Sequence, residues 1–151
     1  MAGLWFEDLA EGQVIDAEWT RTITEADNVF FCGMTMNVQK LHLDAEFAKG
    51  TEFGRPLVNS LLTLGLAIGM SVHNLTMGTR VANLGMTDTF FPAPVFAGDT
   101  IGVKTTVLAV RASKSRPEAG IATFRHQAFN QNGVLVAQCD RQALMMRRPV
   151  S

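Results

Sequence analysis

An excess of charge of either sign is missing from this chain: 13 basic side chains against 14 acidic ones leave a formal net charge of −1. Nucleic-acid binding ordinarily needs a basic face, so that partner class is set aside. Cysteine is scarce too. Cys32 and Cys139 cannot make a disulfide framework in 151 residues, and both lie in apolar neighbourhoods that suit free buried thiols. Cys32 has no His or basic residue beside it, so packing outweighs nucleophilic chemistry. A reducing cytoplasm fits both thiols. Long hydrophobic runs are also lacking. The longest nearly apolar stretch, Leu61 to Met70, is about half a membrane span, and the residues from Met1 to Asp8 lack the basic opening and apolar run of a signal peptide. No phosphate loop, Rossmann glycine fingerprint or Cys/His metal spacing is present, so the expected chemistry uses no cofactor and no metal.

The composition that remains is apolar, with 47% hydrophobic and 18% charged residues, which suits one domain over 1–151 whose surface is partly used in contacts. Val14 to Thr22 reads as a first strand. Thr24, with Glu25 and Asp27 after it, caps a helix running to about Gly33. A polar loop follows, and Asp44 then caps a short helix through Lys49 that Gly50 ends. Leu57 to Leu75 is apolar almost all round, the pattern of a buried helix, and Gly65 and Gly69 on one face would let another backbone come close. From Thr79 the period changes. Arg80 to Phe91 reads as a strand, Ile101 to Ala109 alternates with period two, and Ile121–Asn130 and Val134–Met146 flank the hairpin signal Asn132-Gly133. Strand, helices, then about four antiparallel strands is an α+β order.

The polar segment Thr35-Met36-Asn37-Val38-Gln39-Lys40-Leu41-His42-Leu43-Asp44 carries the most information about function. It resembles the signature of the MaoC-like dehydratases, the (R)-specific enoyl-CoA hydratase family, which runs roughly Ser-Gly-Asp-x-Asn-Pro-Leu-His-x-Asp. His42 falls on the family histidine, Gln39 on the Asn, and Asn37 where the family usually has its catalytic Asp. Pro94-Val95-Phe96-Ala97-Gly98-Asp99 resembles the family's Pro-Val-x-x-Gly-Asp turn, and Asn59-Ser60 stands where a His-Gly pair is common. The resemblance implies a hot-dog fold, an antiparallel sheet wrapped around the long helix, with domains pairing edge to edge as a homodimer or larger even assembly. The Thr-Met-Asn-x-Gln-x-Leu-His-Leu-Asp text is similar to a subgroup of mesaconyl-CoA or itaconyl-CoA hydratases, which makes these small branched dicarboxylyl thioesters the first expected substrates and straight-chain crotonyl-type thioesters the second.

What the resemblance implies for chemistry is hydration of an enoyl-CoA thioester, with acyl-CoA as the partner. Histidine titrates near neutrality and can take a proton from water or return one, which makes His42 the acid/base candidate; the plainer alternative is a structural histidine beside the helix start at Asp44. His73 and His126 have no such setting and read as structural. Asn37 either orients the water, leaving His42 as the single acid/base, or marks a site that only binds acyl-CoA. Asn59 and Ser60 begin the long helix, where free N–H groups can hold a thioester oxygen as it gains charge. Arg55 either meets a substrate carboxylate or pairs with Glu52. Lys114 and Arg116, with Arg147 and Arg148 as a second pair, are the basic candidates for the CoA phosphates. Two alternatives stand beside hydration: a non-catalytic acyl-CoA binding subunit, and a thioesterase, for which Glu52 is the nearest acid.

Overall fold

The structure, a computed structural model, describes residues 3–149. Its elements are β1 (Val14–Asp16), β2 (Arg21–Thr22), α1 (Glu25–Met34), α2 (Lys40–Leu43), α3 (Ala45–Lys49), α4 (Ser60–Leu75), β3 (Arg80–Phe90), β4 (Thr100–Ala112), β5 (Ala119–Phe129) and β6 (Leu135–Met146). The strands form an antiparallel sheet in the order β1-β4-β5-β6-β3, with β2 also on β4. Helix α4 lies on the sheet, burying Leu64, Ala67, Ser71 and Leu75 at helical spacing. Ile101, Val103, Thr105 and Val107 of β4 alternate inward beneath it. One apolar cluster gathers Val58, Ala67, Val95, Ile101 and Val136 near the start of α4; a second gathers Leu75, Val107, Phe124 and Met145 near its end.

Local chemistry explains the boundaries. Thr24 Oγ1 accepts from the Asp27 N–H and Asp27 Oδ2 accepts from the Thr24 N–H, a reciprocal capping box that starts α1. Asp44 Oδ1 accepts from the Phe47 N–H and starts α3. The β5–β6 hairpin turns at Gly133, whose φ of 73° is left-handed, while Asn130 Oδ1 accepts from the N–H groups of Asn132 and Val134.

Four expectations need correction. The first strand is two fragments, because the chain between Asp16 and Arg21 leaves the ladder and both ends pair separately with β4. Leu57 and Val58 are not helical: Leu57 bridges Phe96, the Val58 N–H donates to the Val95 carbonyl, and α4 begins only after Asn59 caps it. The signature segment is not wholly a loop, since His42 sits on the short turn α2. Gly65 and Gly69 lie on the outer face of α4, where a Cβ would meet nothing within 4 Å. Close approaches occur instead at Gly3, where a Cβ would fall 2.5 Å from the Met77 backbone nitrogen, and at Gly120, where it would fall 2.2 Å from the Phe6 ring.

A row of polar side chains crosses the inner face of four strands. Arg141 Nε donates to His126 Nε2 at 2.9 Å, and Arg141 Nη1 donates to Asn83 Oδ1 at 2.7 Å. An arginine can only donate, so His126 carries its proton on Nδ1 and gives it to Thr105 Oγ1 at 2.9 Å. Burial, reinforced by the Arg141 charge, pushes the His126 pKa down to about 3 from 6.5. Below pH 6.5 the unfolded chain binds this proton while the folded chain refuses it until about pH 3. Stability is therefore lost as pH falls through that window, at up to about 1.4 kcal/mol per pH unit. Urea unfolding between pH 7 and about pH 4 should show this slope, and His126→Gln, which keeps an acceptor for Arg141, should flatten it. An unchanged slope would remove His126 as its source. His73, by contrast, lies at the protein surface, with Nε2 3.0 Å from Glu18 and the ring beside Trp19.

Candidate functional site

The site is assembled where α1, the signature segment and the start of α4 meet. His42 is half-buried on α2, and its Nδ1 lies 2.7 Å from the Leu57 carbonyl. A carbonyl oxygen only accepts, so Nδ1 carries the proton and Nε2 keeps its lone pair. Leu57 is in turn held by its N–H donating to the Leu41 carbonyl. Three residues later α4 begins. Asn59 is buried and its Oδ1 accepts from the Leu61 N–H, which leaves the Ser60 N–H without a partner among the described residues. The arrangement offers an imidazole whose Nε2 keeps its lone pair, held by the Leu57 carbonyl three residues before a free N–H at a helix N-terminus. A partly solvated group and an oriented dipole of this kind can serve proton transfer and oxyanion stabilisation.

Asn37 is held by its own turn. Its N–H donates to the Cys32 carbonyl and its Oδ1 accepts from the Gln39 N–H at 3.1 Å, directly after Met36 at a φ of 56°. The side-chain nitrogen has no partner among the described residues and remains available as a donor.

No sequence motif marks Asn28. It is 4% exposed, and its side chain makes three hydrogen bonds: Nδ2 donates to the His42 and Leu57 carbonyls, both at 3.2 Å, and Oδ1 accepts from the Asn59 N–H at 2.8 Å. Cys32 is buried against this group, with Sγ 3.9 Å from Asn28 Oδ1 and 3.8 Å from Asn59 Nδ2. The only local signal for Asn28 was a polar residue on the otherwise apolar face of α1.

A cavity of about 210 Å³ opens beside Ser60, walled by Phe53, Leu57, Val58, Thr63, Val136 and the segment from Phe91 to Val95. No charged side chain lines it. Arg55 lies elsewhere: it is exposed, its guanidinium stacks 4.0 Å from the Phe96 ring centre, and it lines a separate pocket of about 150 Å³ with Glu25 and Asn28. No ion pair with Glu52 forms among the described residues.

The basic candidates are not brought to this site within one chain. Lys114 and Arg116 lie in the β4–β5 turn, beyond Ala112 and so at the opposite end of β4 from the start of α4, and Arg116 pairs with Glu118. Arg147 donates to Glu7 and Arg148 to Asp8, fastening the end of the chain to the turn at Phe6–Asp8.

The family profile described as "MaoC like domain" matches residues 8–128. The chain belongs to the MaoC-like domain family. It is 27% identical to a mesaconyl-CoA hydratase of Cereibacter sphaeroides over 97% of this chain, but spans only 42% of that protein. It is 30% identical to an (R)-specific enoyl-CoA hydratase of Rhodospirillum rubrum, covering 80% of this chain and 78% of the relative. Among solved structures, an Archaeoglobus protein described as a monoamine oxidase regulatory protein aligns with a TM-score of 0.87 at 33% identity, over 99% of this chain and 98% of that one. A Mycobacterium tuberculosis protein described as having a double hot-dog fold aligns at 0.86 with 27% identity, over 99% of this chain and 46% of that one. The fold of this MaoC-like chain is hot-dog, as its α4-on-sheet architecture requires.

Proposed function

We propose that this MaoC-like chain reversibly hydrates an enoyl-CoA thioester. The observation that carries the reading is the His42 ring anchored through Nδ1 to the Leu57 carbonyl, three residues before a Ser60 N–H that has no partner among the described residues. Water adds its hydroxyl to the β-carbon as Nε2 takes the released proton. The Ser60 N–H holds the thioester oxygen while negative charge builds there. Nε2 then returns the proton to the α-carbon, which balances the addition. The Asn37 amide donates to the attacking water. Relatives named enoyl-CoA and mesaconyl-CoA hydratases support the same chemistry.

For the acyl group, the uncharged lining of the 210 Å³ cavity favours a short, uncharged chain of the crotonyl type. A mesaconyl or itaconyl group is the second reading, favoured by the relative that matches 97% of this chain; its free carboxylate would have to reach Arg55. A panel of crotonyl-, mesaconyl- and itaconyl-CoA, followed by loss of conjugated absorbance, decides between them. Turnover of none of these thioesters would instead promote the binding-subunit reading. Thioester hydrolysis has less support, because no carboxylate lines the cavity.

Asn37→Asp separates a working amide site from a degenerate one. In a working enzyme adapted to the amide, a new charge at position 37 should alter the pH dependence of turnover more than it raises the rate. An inactive wild type alongside an active Asn37→Asp would overturn the hydratase reading. The working unit we propose is a homodimer or larger even assembly: β3 ends the sheet with Val81, Leu84, Met86 and Phe90 exposed, an edge that pairing would cover. No helix among the described residues is long and apolar enough to cross a membrane, and the two buried free thiols suit a reducing cytoplasm.

A further inference from the structure

We infer that Asn28 is a positioning residue, whose side chain fixes the acid/base His42 relative to the oxyanion-holding start of α4. The inference rests on the hydration reading for its kinetic consequence, though not for its geometry. Asn28 Oδ1 accepts the Asn59 N–H, one residue before Ser60. Its two Nδ2 protons go to the Leu57 and His42 carbonyls. The Leu57 oxygen therefore receives two donors, Asn28 Nδ2 and His42 Nδ1, and cannot swing away from the imidazole without breaking a second bond. One amide thus joins the backbone of the catalytic turn, the ring's anchor and the cap of α4.

An asparagine suits this place because it alone presents, on so short a stem, two donors and an acceptor in one plane. Asp has no donors for the two carbonyls. Leu has neither donors nor an acceptor, so it leaves the buried Asn59 N–H and the His42 carbonyl unpaired. The Cys32 thiol and the Asn59 side chain pack around the amide and hold it in this orientation. Asn28 lines the pocket that holds Arg55 and not the 210 Å³ cavity beside Ser60, so it does not touch an uncharged acyl chain placed in that cavity.

The proposal separates kcat from KM. Asn28→Leu and Asn28→Asp should each lower kcat by about 10²-fold, the scale of a misplacement of about 1 Å, while KM for the acyl-CoA changes little. Nitrogen NMR of the His42 ring supplies the second readout. Wild-type neutral His42 should be protonated at Nδ1 alone, and the variants should show a mixture of the two tautomers. A stabilising role alone would lower the melting temperature but leave kcat per active site and the ring signals unchanged; that outcome overturns the inference. Should both variants fail to fold, the wild type still decides: its Asn28 side-chain amide protons must exchange slowly with solvent, and fast exchange overturns the clamp. A wild type that hydrates no enoyl-CoA but keeps the Nδ1 tautomer and slow Asn28 exchange would defeat the hydration reading while leaving the clamp standing.

Discussion

His42→Ala is expected to lower kcat for enoyl-CoA hydration by about 10²–10⁴-fold, the usual worth of a positioned acid/base. In the proposed mechanism no other group exchanges protons with substrate. Asn37 cannot titrate, and Asp44 uses a carboxylate oxygen to cap α3 through the Phe47 N–H. The substitution removes one hydrogen bond, to the Leu57 carbonyl, worth about 1 kcal/mol of stability, so the fold should survive. KM should change little, because the half-buried ring acts on water and the α-carbon and not on the CoA moiety. Initial rates from the loss of conjugated absorbance measure this directly. Near-wild-type turnover would return His42 to a structural role beside the helix start.

Ser60→Pro should be nearly as damaging, with a loss of about 10²–10³-fold in kcat/KM, the cost of removing one oxyanion donor. Ser60 is the first residue of α4 and its N–H makes no bond among the described residues, so proline removes only the free donor. The helix should tolerate it. Proline is favoured at the first helical position, and Asn59, at φ −60° and ψ 126°, already has the extended backbone that a residue before proline adopts. Ser60→Ala keeps the N–H and should stay within a few-fold of wild type by the same reasoning, since the proposed donor is backbone. A folded, fully active Ser60→Pro enzyme would place the oxyanion elsewhere.

Local chemistry made much of this legible in the sequence. Thr24 and Asp44 are readable as caps because a cap is a contact within three residues, and Asn132-Gly133 because a hairpin turn is equally local. The inward alternation of β4 was readable because one sheet face is buried. His42, Asn37, Asn59 and Ser60 came from motif text that occupies two short stretches, and the fold closes those stretches on each other through Leu57.

The remainder depended on distance along the chain. Asn28 reaches partners 14, 29 and 31 residues away, which no spacing within α1 reveals. Lys114 and Arg116 looked promising only as a charge cluster, and the length of β4 carries them away from the start of α4. Arg55 sits next in the chain to the site, but Phe96 draws its guanidinium into a neighbouring pocket. Gly65 and Gly69 share a face as expected, but it is the face turned from the sheet.

The central claim, addition of water to the double bond with the thioester left intact, is tested most directly by running the wild-type reaction on crotonyl-CoA in heavy-oxygen water and weighing the products. The account predicts a hydroxyacyl-CoA carrying one heavy oxygen in its hydroxyl group, with no free CoA thiol. Heavy oxygen in a free carboxylic acid together with released CoA, or substrate bound and recovered unchanged, would contradict it.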